Sequence, residues 1–260
     1  MKYTKDSRLE QYVGNTDDLI GFLKYKGDNH KQFKYYAGVK TIKAICNSQS
    51  ILLSDGKNWN DLVDGMDFHE GMPGYRRFGA CFSFSVSESV AMWMLYGGIR
   101  GEGAMIELSR SDLNSIIKTG TVELGYRTND HGFSQVEILE SGYNLYRQDI
   151  LYVGEDDNGI TVKRSDERVE GLNNMGSSPS LLKKAYPWAY ENEVRLILEI
   201  PEEYVPKNAE CARVKLPFTE SELSSRCYIA PNSTGVGSGF NRSRLKGEIR
   251  WNLCSSCENK

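Results

Sequence analysis

Apolar and polar positions alternate most cleanly late in the chain. In residues 187–200 a Pro-Trp-Ala-Tyr turn runs into a strand whose Val194, Leu196, Leu198 and Ile200 share one face. Glu191 and Glu193 share the other, roughly 6.6–6.8 Å apart at Cα in an extended chain. Upstream, Phe33-Lys34-Tyr35-Tyr36 reads as a strand. A helical stretch to about Ser48 and a short buried strand at Ile51-Leu52-Leu53 follow. Ala80-Cys81-Phe82-Ser83-Phe84-Ser85 alternates again. Ser87 is placed to cap a helix from Glu88 to Tyr96, which is apolar nearly all round and is expected to be buried. Gly97-Gly98 ends it.

A strand at 103–108, a capped helix from Ser109 to Thr119 closed by Gly120, and strands near 122–126, 150–153, 212–216 and 226–230 complete the regular pattern. Leu181 to Tyr186 reads as a short helix stopped by Pro187. Residues 1–30 are polar and mixed apart from an apolar patch at Leu19–Leu23. The Gly-, Asn- and Asp-rich run 55–74 reads as a long loop of the kind that carries function. Residues 154–178 read as a mobile loop or insertion. Strands and helices do not alternate regularly, which argues for α+β rather than a doubly wound sheet. The expectation is a single domain over 1–260 with a mostly antiparallel, split β-sheet. Its core lies at about 33–235, and a basic tail at 236–260 carries Cys254 and Cys257.

Composition narrows the function only a little. A net charge of −3 over 260 residues gives no global attraction to nucleic acid or membrane. No apolar run is long enough to span a bilayer, and the N-terminus lacks a signal-peptide core, so a cytoplasmic protein is expected. The six cysteines are then expected to be free thiols. The single Cys254-Ser-Ser-Cys257 pair has no second pair at matching spacing for a four-ligand zinc site. Asp64, Asp67, His69 and Glu70 fit no metal-ligand pattern, so no metal site is expected. His30 and His131 stand alone and read as surface residues. Gly235-Val-Gly-Ser-Gly lacks the third position of the dinucleotide fingerprint and reads as a turn. Arg242, Arg244 and Lys246 read as a solvated face.

The candidate chemistry lies at Glu191 and Glu193. Two carboxylates at the mouth of an apolar strand, flanked by Trp188 and Tyr190, suit a site that stabilises positive charge or takes up a proton. The plainer alternative is an exposed edge, with both acids in water and Arg195 paired to Glu193. A nuclease-like cluster of Glu191, Glu193 and Lys183 or Lys184 would point instead to a metal-dependent phosphoesterase. A non-catalytic module that binds a nucleotide or a partner is a third reading.

Four segments carry a resemblance. They are Phe33-Lys34-Tyr35-Tyr36; Trp59-Asn60-Asp61-Leu62-Val63-Asp64-Gly65; Cys81-Phe82-Ser83-Phe84-Ser85 with Met92-Trp93-Met94-Leu95-Tyr96; and Trp188-Ala189-Tyr190-Glu191-Asn192-Glu193-Val194-Arg195. In this order, over roughly residues 33–200, they resemble the bacterial domain-of-unknown-function 2971 family. One step further out the layout is similar to ADP-ribosyltransferases. That resemblance implies the ADP-ribosyltransferase fold and an enzyme that consumes NAD as a substrate. It implies Glu193 as the essential residue, bonded to a ribose hydroxyl, and Glu191 as the group that contacts the acceptor and removes its proton.

The resemblance also implies that Ser83, with Ser85 in the serine motif, bonds the ribose or holds Glu193. Tyr35, Tyr36, Trp93 and Tyr96 would offer a face to the nicotinamide, and Asn60, Asp61 and Asp64 would bind a ribose or adenine edge. Each has a plain alternative: strand packing for Ser83, core packing for Trp93, turn chemistry for Asn60, Asp61 and Asp64. Phe84 stands where many such enzymes carry Thr, and the first motif has no His and no obvious Arg. The NAD site is therefore either divergent or lost. Similar bacterial enzymes act as toxins or in phage defence, which implies a toxic effector with an antitoxin as partner. The implied acceptor is a nucleic-acid base, a protein side chain or water.

Overall fold

A computed structural model describes residues 16–57, 59, 61, 64–65, 68–69, 73–85, 87–96, 102–128, 132–156, 159–164, 167–170, 182–231 and 239–242. Among the positions singled out above, Asn60, Asp67, Glu70, Gly97, Gly98, His131, Arg244, Lys246, Cys254 and Cys257 lie outside the described residues, as does most of the glycine-rich run.

Fifteen strands are described, in chain order β1 Gln32–Gly38, β2 Ser50–Ser54, β3 Tyr75–Ser83, β4 Gly103–Ser109, β5 Val122–Arg127, β6 Phe133–Leu139, β7 Asn144–Asp149, β8 Leu151–Asp156, β9 Gly159–Arg164, β10 Glu167–Glu170, β11 Lys183–Ala185, β12 Glu193–Pro201, β13 Cys211–Lys215, β14 Cys227–Ile229 and β15 Asn241–Arg242. The α-helices are α1 Thr16–Asn29, α2 Val39–Ser48, α3 Val90–Tyr96, α4 Arg110–Thr119 and α5 Glu220–Ser225. The chain is α+β and its pairing is antiparallel except at β8–β11 and β14–β15.

The large sheet is mostly antiparallel, as expected, and it branches at β3. β12 pairs with β3 along its whole length, from Glu193↔Ser83 to Pro201↔Tyr75. The opposite edge of β3 is shared: β1 meets it at Lys34↔Ser83 and β2 at Ser54↔Gly79. Beyond those contacts β1 continues into β4 and β14, while β2 continues into β13, β5 and β6. Two half-sheets thus diverge from one strand and leave a gap over residues 80–82. A smaller sheet, ordered β10-β9-β8-β11, is built largely from residues expected to be a loop.

The alternation read from β12 holds. Val194, Leu196, Leu198 and Ile200 are all buried in the main core, with Phe78, Ala80 and Phe82 of β3 beside them. α2, α4 and α5 supply Ile42, Ile45, Leu113, Ile116 and Leu223 to the same core. Ser109 begins α4 with a capping box: its side chain accepts from Asp112 N–H (3.1 Å), and Asp112 accepts from Ser109 N–H (2.8 Å). Gly120 closes that helix by donating to the Ile116 carbonyl (2.8 Å).

Other expectations are corrected. The patch at Leu19–Leu23 belongs to a 14-residue helix, α1, which packs on β7. Part of the 55–74 run is helical, at residues 64–65 and 68–69. α3 starts at Val90, and Ser89 rather than Ser87 accepts the cap bond, from Met92 N–H (3.3 Å). Its outer face is not buried: Val90, Met94 and Leu95 are exposed, while Met92 and Trp93 pack inward. His30 is not an isolated surface residue. It bonds Asp149 at 2.7 Å and stacks on Phe84. Residues 183–185 are a strand, not a helix, because their backbone pairs with β8. Pro187 opens a 3-10 helix, Tyr186–Glu191, rather than ending an α-helix.

Candidate active site

Glu191 and Glu193 do reach one place, but not by strand alternation. Glu191 is the last residue of the 3-10 helix, and Asn192 turns the chain with φ 45°, a left-handed conformation that Asn tolerates better than most residues. Asn192 is then tied down, its carbonyl accepting from Phe84 N–H at 2.9 Å. β12 begins only at Glu193. Its backbone N–H donates to the Tyr152 hydroxyl (2.8 Å) and its carbonyl accepts from Ile150 N–H (3.2 Å). β12 has β3 on one edge and β7 on the other, so it is a central strand and not the exposed edge of the plainer reading.

Both acids are buried, Glu191 2% exposed and Glu193 3%. Carboxylates survive such burial only when paired and hydrogen-bonded. Lys184 of β11 supplies the common partner: its Nζ is 2.5 Å from Glu191 Oε2 and 3.1 Å from Glu193 Oε2. The Tyr96 hydroxyl donates to Glu191 Oε1 at 2.7 Å. Arg195 donates from Nε to Glu193 Oε1 at 2.5 Å. Its two terminal nitrogens grip both oxygens of Asp64, the Nη1 contact being 2.9 Å. Trp59 lies against the Arg195 guanidinium at 4.3 Å from ring centre. The pairing of Arg195 with Glu193 anticipated in the plainer reading is therefore present, in the interior rather than in water.

This arrangement drives the two glutamates apart. Burial pushes Glu193 up, but Arg195 and Lys184 outweigh it and hold its carboxyl at about 2. Burial also pushes Glu191 up, and there the charge of Glu193 adds to it. Lys184 and Tyr96 offset only part of the rise. One acid is thus a fixed anion and the other is the more basic of the two, the pattern that separates acid–base roles in paired carboxylates.

Glu191, Glu193, Lys184, Asp64 and Tyr96 line a cleft of about 310 Å³, together with residues of β1, β2 and β3 where the half-sheets diverge. Tyr35, Tyr36, Trp59 and Tyr96 give it aromatic walls; Asp61, Asp64, Lys184, Glu191 and Glu193 line its polar part. Gly79 also borders it, and a Cβ there would come within 2.9 Å of the Phe68 ring, so close packing requires glycine.

Several candidate residues fall elsewhere. Ser83 is opposite Glu193 in register and buried, but it does not line the cleft and its hydroxyl has no hydrogen-bond partner among the described residues. Cys81, two residues earlier on the same strand, borders the cleft in its place. Ser85 is outside the cleft and contributes its carbonyl to Lys34. Trp93 is 3% exposed, packs edge-on to Tyr36 in a satellite core and donates to Glu88. Asp64 borders the cleft with both its oxygens bonded by Arg195, so it is tied into the same buried ion cluster as Glu193. Asp61 accepts from Asp64 N–H at 3.2 Å, the turn chemistry its type favours.

Comparison of the chain with protein-family models, with curated proteins and with solved structures returned no match. No helix among the described residues is long and apolar enough to cross a membrane.

Proposed function

We propose that the cleft breaks the nicotinamide–ribose bond of NAD and transfers the ADP-ribosyl group to an acceptor. The observation that carries this reading is the pair Glu191 and Glu193, buried together in the lining of an aromatic cleft with their pKa values displaced in opposite directions. When the C–N bond breaks, its electron pair leaves with nicotinamide and positive charge grows on the ribose. An anion that is already fixed and desolvated stabilises that charge more in the transition state than in the ground state. Glu193, locked between Arg195 and Lys184, is such an anion. The acceptor then attacks the ribose carbon and gives its proton to Glu191.

The size of the cleft, about 310 Å³, is at the lower end for small-molecule sites. It suits the nicotinamide riboside half of the dinucleotide, with Tyr35, Tyr36 or Tyr96 beside the ring. The order of the four sequence segments adds support. The acceptor is a nucleic acid or a protein, and a toxin or phage-defence effector restrained by an antitoxin fits such an activity.

Labelled NAD with cell extract tests the proposal. Wild-type protein is expected to release nicotinamide and label a macromolecule, and Glu193→Gln to lose both. Unchanged cleavage and transfer in a folded Glu193→Gln would refute the assignment. The phosphoesterase reading gains Lys184 beside both glutamates. Among the described residues, however, no group of three or more His, Cys, Asp and Glu side chains is arranged to hold a metal ion. Magnesium-dependent hydrolysis indifferent to NAD would favour it, and a rise in Tm with NAD without turnover would favour a binding module.

A further inference from the structure

We propose that Lys184 is a positioning residue that keeps Glu191 unprotonated in the resting site, and that the small sheet is the device that delivers it. The inference rests on the reading of Glu191 as proton acceptor. Three acids meet here, Asp64, Glu191 and Glu193, and two cations, Lys184 and Arg195. Among the described residues Arg195 bonds Asp64 and Glu193. Among the described residues Lys184 is the cation bonded to Glu191. Among the described residues, Cys81 of β3, Tyr96 of α3, Tyr152 of β8 and Tyr190 of the 3-10 helix are further titratable neighbours and carry no positive charge; Arg127 also lines the cleft, where it acts on Tyr35. Without Lys184, Glu191 would face the Glu193 anion with the Tyr96 hydroxyl as its remaining partner among the described residues. Two carboxylates that close do not both stay ionised at neutral pH. Glu191 would keep its proton and have no room for the acceptor's.

Placement of the lysine depends on β8. β11 is three residues long and pairs with β8 as Lys183↔Leu151, Lys184↔Tyr152 and Ala185↔Val153. Tyr152, the register partner of Lys184, is also the residue whose hydroxyl receives the Glu193 N–H. One strand therefore sets both the ammonium and the carboxylate it bonds. The Trp188 ring, 4.9 Å from Nζ, covers the lysine from the 3-10 helix.

The test uses Lys184→Met, close in length and uncharged, with Lys184→Arg as the charge-retaining control; thermal melts establish that each is folded. Carboxyl carbons of glutamate-labelled protein are titrated by NMR, with Glu191→Gln to assign the Glu191 signal. The midpoint of Glu191 is expected to move up by about one pH unit or more in Lys184→Met and to stay near the wild-type value in Lys184→Arg. If the protein transfers ADP-ribose, the acid limb of its rate profile should move the same way. That means about a tenfold loss per unit below the limb, recovered by raising the pH and restored in Lys184→Arg. A folded Lys184→Met with an unmoved Glu191 midpoint overturns the inference, whatever its activity. A moved midpoint in a protein that leaves NAD intact retains the role of Lys184 and removes the NAD reading instead.

Discussion

The two faces of the β3–β12 ladder are made by the same strands and stabilised in opposite ways. On one face Val194, Leu196, Leu198 and Ile200 meet Phe78, Ala80 and Phe82, and each contributes by leaving water, largely independent of its neighbours' identity. On the other, Arg195, fully buried, holds Glu193 on its own strand and Asp64 from 131 residues away. Charges there stabilise nothing singly; each is tolerable only because a partner is in place. The apolar face is additive and forgiving, whereas the polar face is conditional. A conditional cluster is what a fixed, pre-oriented anion requires, and the charges are confined to this side of the strand, where Ile197 packs into a second apolar cluster beyond them.

The comparison breaks most sharply at Arg195. Arg195→Met leaves two buried carboxylates without their guanidinium and is expected to lower stability by about 3–5 kcal/mol, read from urea unfolding. Leu196→Ala on the other face is expected to cost about 2–5 kcal/mol through the cavity it leaves. The two differ in rescue. Adding Glu193→Gln and Asp64→Asn to Arg195→Met should recover part of the loss, since the uncompensated charges go with it. No such neutral partner recovers Leu196→Ala, and equal behaviour of the two faces would defeat the distinction.

Acid should separate the faces next. Glu193 titrates at about 2 when folded, against an ordinary 4.5. A carboxyl with a depressed folded value contributes stability that is present above the unfolded value and lost as pH falls through the folded one. The loss therefore lies between about pH 4.5 and 2, on the order of 3 kcal/mol. Glu191 is raised and acts in the opposite sense, its contribution being lost as pH rises. Thermal melts over pH 6 to 2 should thus fall less steeply in Glu193→Gln than in wild type, and a wild-type slope there would contradict the pairing. The smallest effect is expected far from either face. Ser109→Ala removes the α4 cap and should cost about 1 kcal/mol in urea unfolding while leaving the acid dependence of the melts as in wild type.

Local periods made much of this legible in advance. The strands around Tyr35, Phe82 and Val194 were readable because alternation is a property of neighbouring residues. The capping box of Ser109 was readable because it closes within one turn. The small sheet was not, since residues 154–178 carry acidic, basic and Gly/Asn/Ser runs in place of an apolar period. β11 is three residues long and is a strand only because β8 lies beside it. Glu191 was read onto the wrong element for a related reason: the left-handed turn at Asn192 interrupts an extended pattern that side-chain types alone continue. Ser83 and Trp93 matched a motif, yet packing turned the first into a buried hydroxyl and the second into core.

Sequence by itself determined the α+β class, the apolar face of β12 and the presence of two acids beside it, because these depend on residues a few positions apart. Tertiary structure alone decided that the acids are interior, that Lys184 and Arg195 hold them, and that a cleft opens where β1 and β2 part from β3. Those outcomes depend on which distant segments share an edge or a charge. A buried ion cluster is specified by the meeting of its members and is invisible in any one of them.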